Sequence, residues 1–123
     1  MRIRELSQAT GASPRMLRHY EDSGILSPDR DSNGYRHYRP GDVQIVDHIR
    51  CLLASGLSLS EASAILQVAC IDPAGASDAD RKAALMQLDE RAHRLTTGIA
   101  RLRAQEAEIL ALRASIEAGP ASK

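Results

Sequence analysis

The chain has 123 residues, enough for one modest domain or for a small domain with an extended appendage. Sixteen Lys and Arg balance sixteen Asp and Glu, so the formal net charge is zero and the chain as a whole lacks the basic charge typical of nucleic-acid binders. No apolar run approaches the roughly 18 residues of a membrane span and the N-terminal segment lacks the apolar centre of a signal peptide, so we expect a cytoplasmic protein without a membrane partner.

The first predicted elements are two short helices joined by a tight turn. Ile3, Leu6 and Thr10 share one face of a first helix, and Gly11 stands where a C-terminal cap is expected. A second helix follows between Ser13, its expected N-cap, and Gly24. The apolar side of this second helix consists of Met16, Leu17 and Tyr20. Two short helices connected in this way predict a helix-turn-helix.

A hairpin and two further helices are predicted next. Asn33-Gly34 indicates a two-residue hairpin turn, because both residues tolerate positive φ, and we call this hairpin the wing. Helical spacing resumes from Pro40 to Ser55, with Gly56 closing the helix. Its apolar stripe consists of Val43, Val46, Ile49 and Leu53. A capping box formed by Ser58 and Glu61 begins the fourth helix.

The C-terminal part of the chain has a different character. Residues 70–77 are rich in Pro, Gly, Ser and Asp and predict a linker. Residues 78–118 contain no Pro and predict a helix roughly 60 Å long, which we call the arm. Every third or fourth residue of the arm forms one seam, which consists of Leu85, Leu88, Ala92, Leu95, Ile99, Leu102, Glu106, Ile109, Arg113 and Ile116. Such a seam requires a partner helix, so we expect a homodimer with parallel or antiparallel arms.

The predicted fold is therefore mainly α. A winged helix-turn-helix DNA-binding head spans residues 1–69, the linker spans 70–77, the arm is a coiled-coil dimerisation helix over 78–118, and a tail spans 119–123. A winged head suits double-stranded DNA, because a recognition helix fits the major groove and a hairpin reaches the neighbouring backbone.

The head resembles the MerR family of transcriptional regulators. The resemblance is carried over about residues 1–68 by "IRELSQATGASPRMLRHYEDSGIL", "NGYRHY" and "LLASGLSLSEA", in this order and spacing. It implies that four side chains of the second helix face DNA, namely Arg15, Arg18, His19 and Tyr20, and that Tyr35 and Arg36 of the wing grip phosphate. Tyr20 could instead pack the helix, and Arg15 or Arg18 could be solvated surface charges.

The resemblance also implies a mechanism and partners. A dimer would sit on a pseudo-palindromic promoter, then bend and untwist the DNA for RNA polymerase when an effector acts at the linker and arm. Cys51 stands where the aldehyde- and electrophile-responsive subgroup of the family has its single cysteine, and we consider it a candidate thiol sensor. Arg50 and His48 could raise the reactivity of that thiol, although Cys51 could instead be a packing residue. Cys70 could be its resolving partner, a metal ligand together with His93, or an inert hinge residue.

Several other functions remain open at this point. The regulator could respond to a small organic ligand or a metal at the linker and arm, or it could be an architectural DNA binder without effector. A coiled-coil adaptor with a repurposed head is a further alternative. We predict no enzyme, because no catalytic triad, paired carboxylates or phosphate-binding loop is present, and we assign no catalytic residue, metal ligand or cofactor.

Overall fold

The computed structural model describes residues 1–120, and these residues are mainly helical, as predicted. The elements are α1 Ile3–Thr10, α2 Pro14–Asp22, β1 Asp29–Arg30, β2 Arg36–His37, α3 Gly41–Ala54, α4 Leu59–Leu66 and α5 Asp78–Ala118. The fold is thus the expected winged helix-turn-helix followed by one long helix. Of the predicted tail, residues 121–123 lie outside the described part of the chain.

The turn between α1 and α2 depends on Gly11. Gly11 has φ 76° and its N–H donates to the Ser7 carbonyl, which ends α1 in the left-handed region that favours glycine. The Arg50 guanidinium of α3 donates to the Thr10 carbonyl beside it. A Cβ at position 11 would lie 3.0 Å from that guanidinium, so a side chain there would disturb both the turn and the contact with α3. The hydroxyl of Ser13 then accepts from the Met16 N–H at 3.2 Å and caps α2, as predicted.

One apolar core holds the helices of the head together. It comprises Leu6, Ala12, Leu17, Tyr20, Ile25, Leu26, Tyr38, Val46, Ile49, Ala62 and Leu66. The predicted stripe of α3 faces this core, with Val46 and Ile49 fully buried and Val43 and Leu53 partly buried. Burial of side chains of this size contributes about 1.5–3 kcal/mol each relative to exposure. Met16 is the exception among the predicted apolar residues of α2, because its side chain is exposed.

The wing differs in one detail from the predicted two-residue turn. β1 and β2 pair antiparallel, with Asp29 opposite His37 and Arg30 opposite Arg36, which leaves a five-residue loop over 31–35. Only glycines have positive φ among the described residues, and in this loop that residue is Gly34, at 82°. The prediction of a two-residue turn with Asn33 at positive φ was therefore wrong. Asp31 explains the longer loop, because its carboxylate accepts the N–H groups of both Asn33 and Tyr35.

The predicted linker is largely helical. A π-helical turn covers Gln67–Ile71 and a 3-10 turn covers Pro73–Gly75, capped by the Asp72 carboxylate. The first compact unit extends beyond this segment to Met86, and the second begins at Gln87. Within the first unit, Ala84 near the start of α5 packs in a small cluster with Leu57 and Ile65.

The sequence of α5 explains its length. Ser77 and Asp80 cap its N-terminus reciprocally, and residues 78–118 contain no proline. Ion pairs between residues three or four apart support the helix surface, for example Arg94 with Glu90 at 2.8 Å. Within residues 1–120, none of the helices combines the length and the apolar character needed to cross a membrane.

Candidate nucleic-acid interface

The exposed face of α2 carries three cationic or polar side chains that the sequence predicted. Arg15, Arg18 and His19 are exposed and line one shallow cleft together with Met16 and Asp22. Positions three and four apart share a helix face, which is why these side chains lie together. Their N–H groups are the donors that contact base edges and phosphates in nucleic-acid complexes. The cleft therefore presents three donor side chains, together with the Asp22 carboxylate and the apolar Met16.

Tyr20 does not belong to that surface. Its side chain is only 1% exposed and lies in the core with Leu6 and Leu17. Burial raises the pKa of its hydroxyl, and the charge of Arg50 opposes this shift. The implied position facing DNA does not agree with this burial, whereas the alternative of a packing residue does. Tyr20 lies on the opposite face of α2 from the cleft, so its role is to hold the helix in place.

The wing presents an aromatic ring to solvent. Tyr35 is 55% exposed, and the guanidinium of Arg2 lies 4.5 Å above the centre of its ring. Stacking of this kind holds an arginine and a tyrosine in a fixed mutual orientation while their polar atoms remain accessible. Sequence reasoning missed Arg2, because it lies 33 positions from Tyr35 and no local pattern connects them.

Arg36, the second predicted wing residue, is held by α2. Its Nε donates to the Glu21 carboxylate at 2.6 Å, and the side chain is 31% exposed. The same carboxylate lies 3.6 Å from Arg30, the cross-strand neighbour of Arg36. Sequence reasoning also missed Glu21, since its contacts become visible only once the wing folds back onto α2.

Asp31 organises the wing loop. His37 Nε2 lies 3.0 Å from its carboxylate, and Arg2 lies 3.8 Å away. Hydrogen bonding from the His37 ring, and then from the Tyr35 N–H, lowers the pKa of the Asp31 carboxyl below its ordinary value. The loop that carries Tyr35 is therefore stabilised by an ionised carboxylate.

The two cysteines are both exposed free thiols. Cys51 lies on α3, and the neighbouring Arg50 directs its guanidinium to the Thr10 carbonyl. Cys70 lies in the π-helical turn and lines a second shallow cleft that includes Arg39, Asp42 and His48. The described residues contain no group of three His, Cys, Asp or Glu side chains that could hold a metal ion.

Comparison with known proteins places the head in a described family. A family profile described as "MerR HTH family regulatory protein" matches residues 1–68, more than half of the chain. The nodulation protein NolA of Bradyrhizobium elkanii is 46% identical over 61 residues, which is 49% of this chain and 28% of NolA. The chain spans about half or less of the length of the first curated relatives that it matches.

Solved structures extend the likeness beyond the head. The structure of PbrR691 from Ralstonia metallidurans CH34 in complex with lead(II) has a TM-score of 0.60 and 28% identity, covering 94% of this chain and 87% of that one. HiNmlR, a regulator lacking the sensor domain that was crystallised with promoter DNA, has a TM-score of 0.69 and 22% identity. That match covers 87% of this chain and 78% of HiNmlR and supports the fold alone.

Proposed function

This chain belongs to the MerR family of helix-turn-helix regulatory proteins, and from this membership we propose that it is a transcriptional regulator that binds double-stranded promoter DNA. The family consists of regulators rather than enzymes. The observation that carries the proposal is the exposed donor surface of α2, formed by Arg15, Arg18 and His19, on the same head as the exposed wing residue Tyr35.

In the proposed complex, α2 enters the major groove and the wing contacts the backbone. Arg15, Arg18 and His19 offer N–H donors to base edges and phosphates. The contact that His19 contributes is polar. Tyr35 and Arg36 bind phosphate. Because the net charge of residues 1–40 is only +2, from seven Arg and five acidic residues, the arrangement of these groups matters more than their number.

The acting species in this proposal is a homodimer joined through the arm. Seven large apolar seam residues of α5 are 36% to 80% exposed, and they are Leu85, Leu88, Leu95, Ile99, Leu102, Ile109 and Ile116. An isolated helix of this kind gains little from propensity alone and is stabilised mainly by packing of its apolar face. A second copy of the same seam supplies that packing.

The dimer would act on a pseudo-palindromic promoter by bending and untwisting it, so that RNA polymerase can engage both promoter elements. Bending a DNA site of roughly 20–30 base pairs costs on the order of 1–6 kcal/mol. A modest change in the angle between two heads would therefore be enough to alter transcription. This deformation would act without any new contact to a base.

The proposed effector is an electrophile or oxidant that reacts at Cys51. The thiol is exposed on α3, the helix whose Arg50 supports the turn in front of α2. An aldehyde would be attacked at its carbonyl carbon by the Cys51 sulfur, and the thiol proton would pass to the carbonyl oxygen, giving a hemithioacetal. Modification on α3 would then be transmitted to the recognition helix through this contact.

Fluorescence anisotropy tests both parts of the proposal. Reduced protein is titrated against duplex DNA from upstream of its own gene and against a scrambled duplex, with and without a reactive aldehyde. We expect preference for the upstream duplex and a response to aldehyde that Cys51→Ser abolishes and Cys70→Ser retains. A normal response in Cys51→Ser would exclude the thiol sensor, whereas equal binding of both duplexes would favour an architectural DNA binder.

A further inference from the structure

Glu21 connects the recognition helix to both strands of the wing. Its two carboxylate oxygens contact different arginines: Oε2 accepts from Arg36 Nε at 2.6 Å, and Oε1 lies 3.6 Å from Arg30 Nη2. Arg30 and Arg36 are register partners across the hairpin. One carboxylate in the last turn of α2 therefore clamps a cross-strand pair.

The two arginines use their nitrogens differently. Both terminal nitrogens of Arg30 have partners, one near the Glu21 carboxylate and the other donating to the Gly34 carbonyl at 2.9 Å. Arg36 uses only Nε for Glu21, and its two terminal nitrogens make no hydrogen bond within residues 1–120. Arg30 thus braces the wing loop, while Arg36 keeps its outer donors available.

The three side chains differ in how far they are covered. The Glu21 side chain is 19% exposed, less than Arg36 at 31% and Arg30 at 51%. The carboxylate side chain is thus more covered than the two arginine side chains that it contacts. A phosphate can bind the terminal nitrogens of Arg36 without displacing Glu21, since the guanidinium has donors on both sides.

We propose that Glu21 is a positioning residue for DNA binding, which orients the outer donors of Arg36 toward phosphate. This proposal rests on the proposed function, because it requires the wing to contact DNA. An arginine that is held in its binding orientation before the encounter loses less conformational entropy on binding than a free side chain. The carboxylate places one negative charge near the DNA, but the positive charges of the two arginines that it contacts outweigh this charge.

If Glu21 instead competed with phosphate for Arg36, its substitution would change DNA affinity in the opposite direction. If Glu21 merely sequestered Arg36, removal of the carboxylate would free the arginine and tighten binding. Asp47 offers a control for the charge itself, because it is an exposed carboxylate on α3 of the same head and has no ion pair within the described residues. Asp47→Asn removes one negative charge from the head without touching the wing or the cleft of α2.

The test measures the affinity of Glu21→Gln, Asp47→Asn, Arg36→Ala and the double variant Glu21→Gln/Arg36→Ala for the upstream and scrambled duplexes. We expect Glu21→Gln to weaken binding of both duplexes roughly 3- to 5-fold and Asp47→Asn to leave it unchanged or slightly tighter. The double variant should bind like Arg36→Ala alone, because Glu21 acts through that arginine. Thermal melting of each variant monitors folding.

The salt dependence separates positioning from a general loss of stability. Losing one phosphate contact lowers the slope of log affinity against log salt by about 0.9. We expect this change in Glu21→Gln and in Arg36→Ala but not in Asp47→Asn. Tighter binding by Glu21→Gln, or losses that add up in the double variant, would overturn the role of Glu21 while leaving the proposed function intact. A wild-type protein that binds neither duplex would overturn both.

Discussion

The head and the arm use their apolar residues in opposite ways. In the head, eleven buried side chains from α1 to α4 and the connections between them form one core. Along α5, ten large apolar residues are exposed, and only Ala84, near its start, is buried. The same residue types, mainly Leu and Ile, thus meet protein in one region and solvent in the other.

This difference separates two sources of stability. The head contains the partners of its own apolar side chains, so it is expected to fold without a second chain. The arm presents a contiguous apolar surface of the kind that marks an interaction site rather than a finished surface. Substitutions in the arm should therefore change assembly first, whereas substitutions in the head core should change folding.

The largest effect is expected from charges on the seam. Ile99→Asp/Leu102→Asp should raise the dissociation constant of the dimer by at least about 100-fold, because burial of an unpaired carboxylate costs several kcal/mol. Sedimentation equilibrium measures this constant directly. Dimers that persist in this variant would place the interface elsewhere.

The matched control adds the same charge to α5 at two positions outside the seam. Thr97→Asp/Ala104→Asp introduces the same two carboxylates on the other side of α5. We expect it to dimerise like the wild type. Equal dissociation in both variants would indicate a loss of helix stability rather than loss of the seam.

The second prediction compares single deletions in the two regions. In the monomeric Ile99→Asp/Leu102→Asp background, Leu17→Ala should lower the free energy of unfolding of the head by about 2–5 kcal/mol, because it leaves a cavity. Ile109→Ala should change it by less than about 0.5 kcal/mol, since the side chain is already exposed. Urea denaturation followed by circular dichroism measures both. Similar losses would contradict the separation between head and arm.

Local chemistry explains why most elements were predictable from sequence. Ser13, Ser58 and Gly11 mark helix ends through contacts within a few residues, and the structure has each cap where it was predicted. The absence of proline over 78–118 likewise predicted the bounds of α5. In each case the feature that decides the structure involves residues that are near one another in the sequence.

Contacts between distant residues account for what sequence reasoning missed. Arg2 on Tyr35 and Glu21 on Arg36 join residues 33 and 15 positions apart. Tyr20 is a different case, because the apolar side of α2 predicted from the sequence already included it and only the resemblance implied a position facing DNA. The longer wing loop depends on which backbone groups the Asp31 carboxylate accepts.

A smaller effect is expected from the wing tip. Tyr35→Ala/Arg36→Ala should weaken binding by roughly 10-fold on all duplexes alike, because phosphate contacts carry no sequence information. Anisotropy with a set of single-base variants of the upstream duplex measures the loss at each position. The stability of the head should remain close to wild type, since neither side chain belongs to its core. A loss confined to one base position would contradict the phosphate role.

The smallest predicted effect concerns pH and again separates the wing from the arm. The pKa of Asp31 is lowered in the folded state, first by the His37 hydrogen bond, so its ionised form stabilises the wing. A group with a depressed folded pKa contributes stability that is present above the unfolded value of about 3.9 and is lost as pH falls through the folded value. The free-energy difference between wild type and Asp31→Asn should therefore shrink as pH falls from 6 toward 3, as urea denaturation would show. Asp89→Asn, at an exposed carboxylate within α5, serves as the control. An equal pH dependence there would show that the effect is general acid destabilisation rather than a property of the wing.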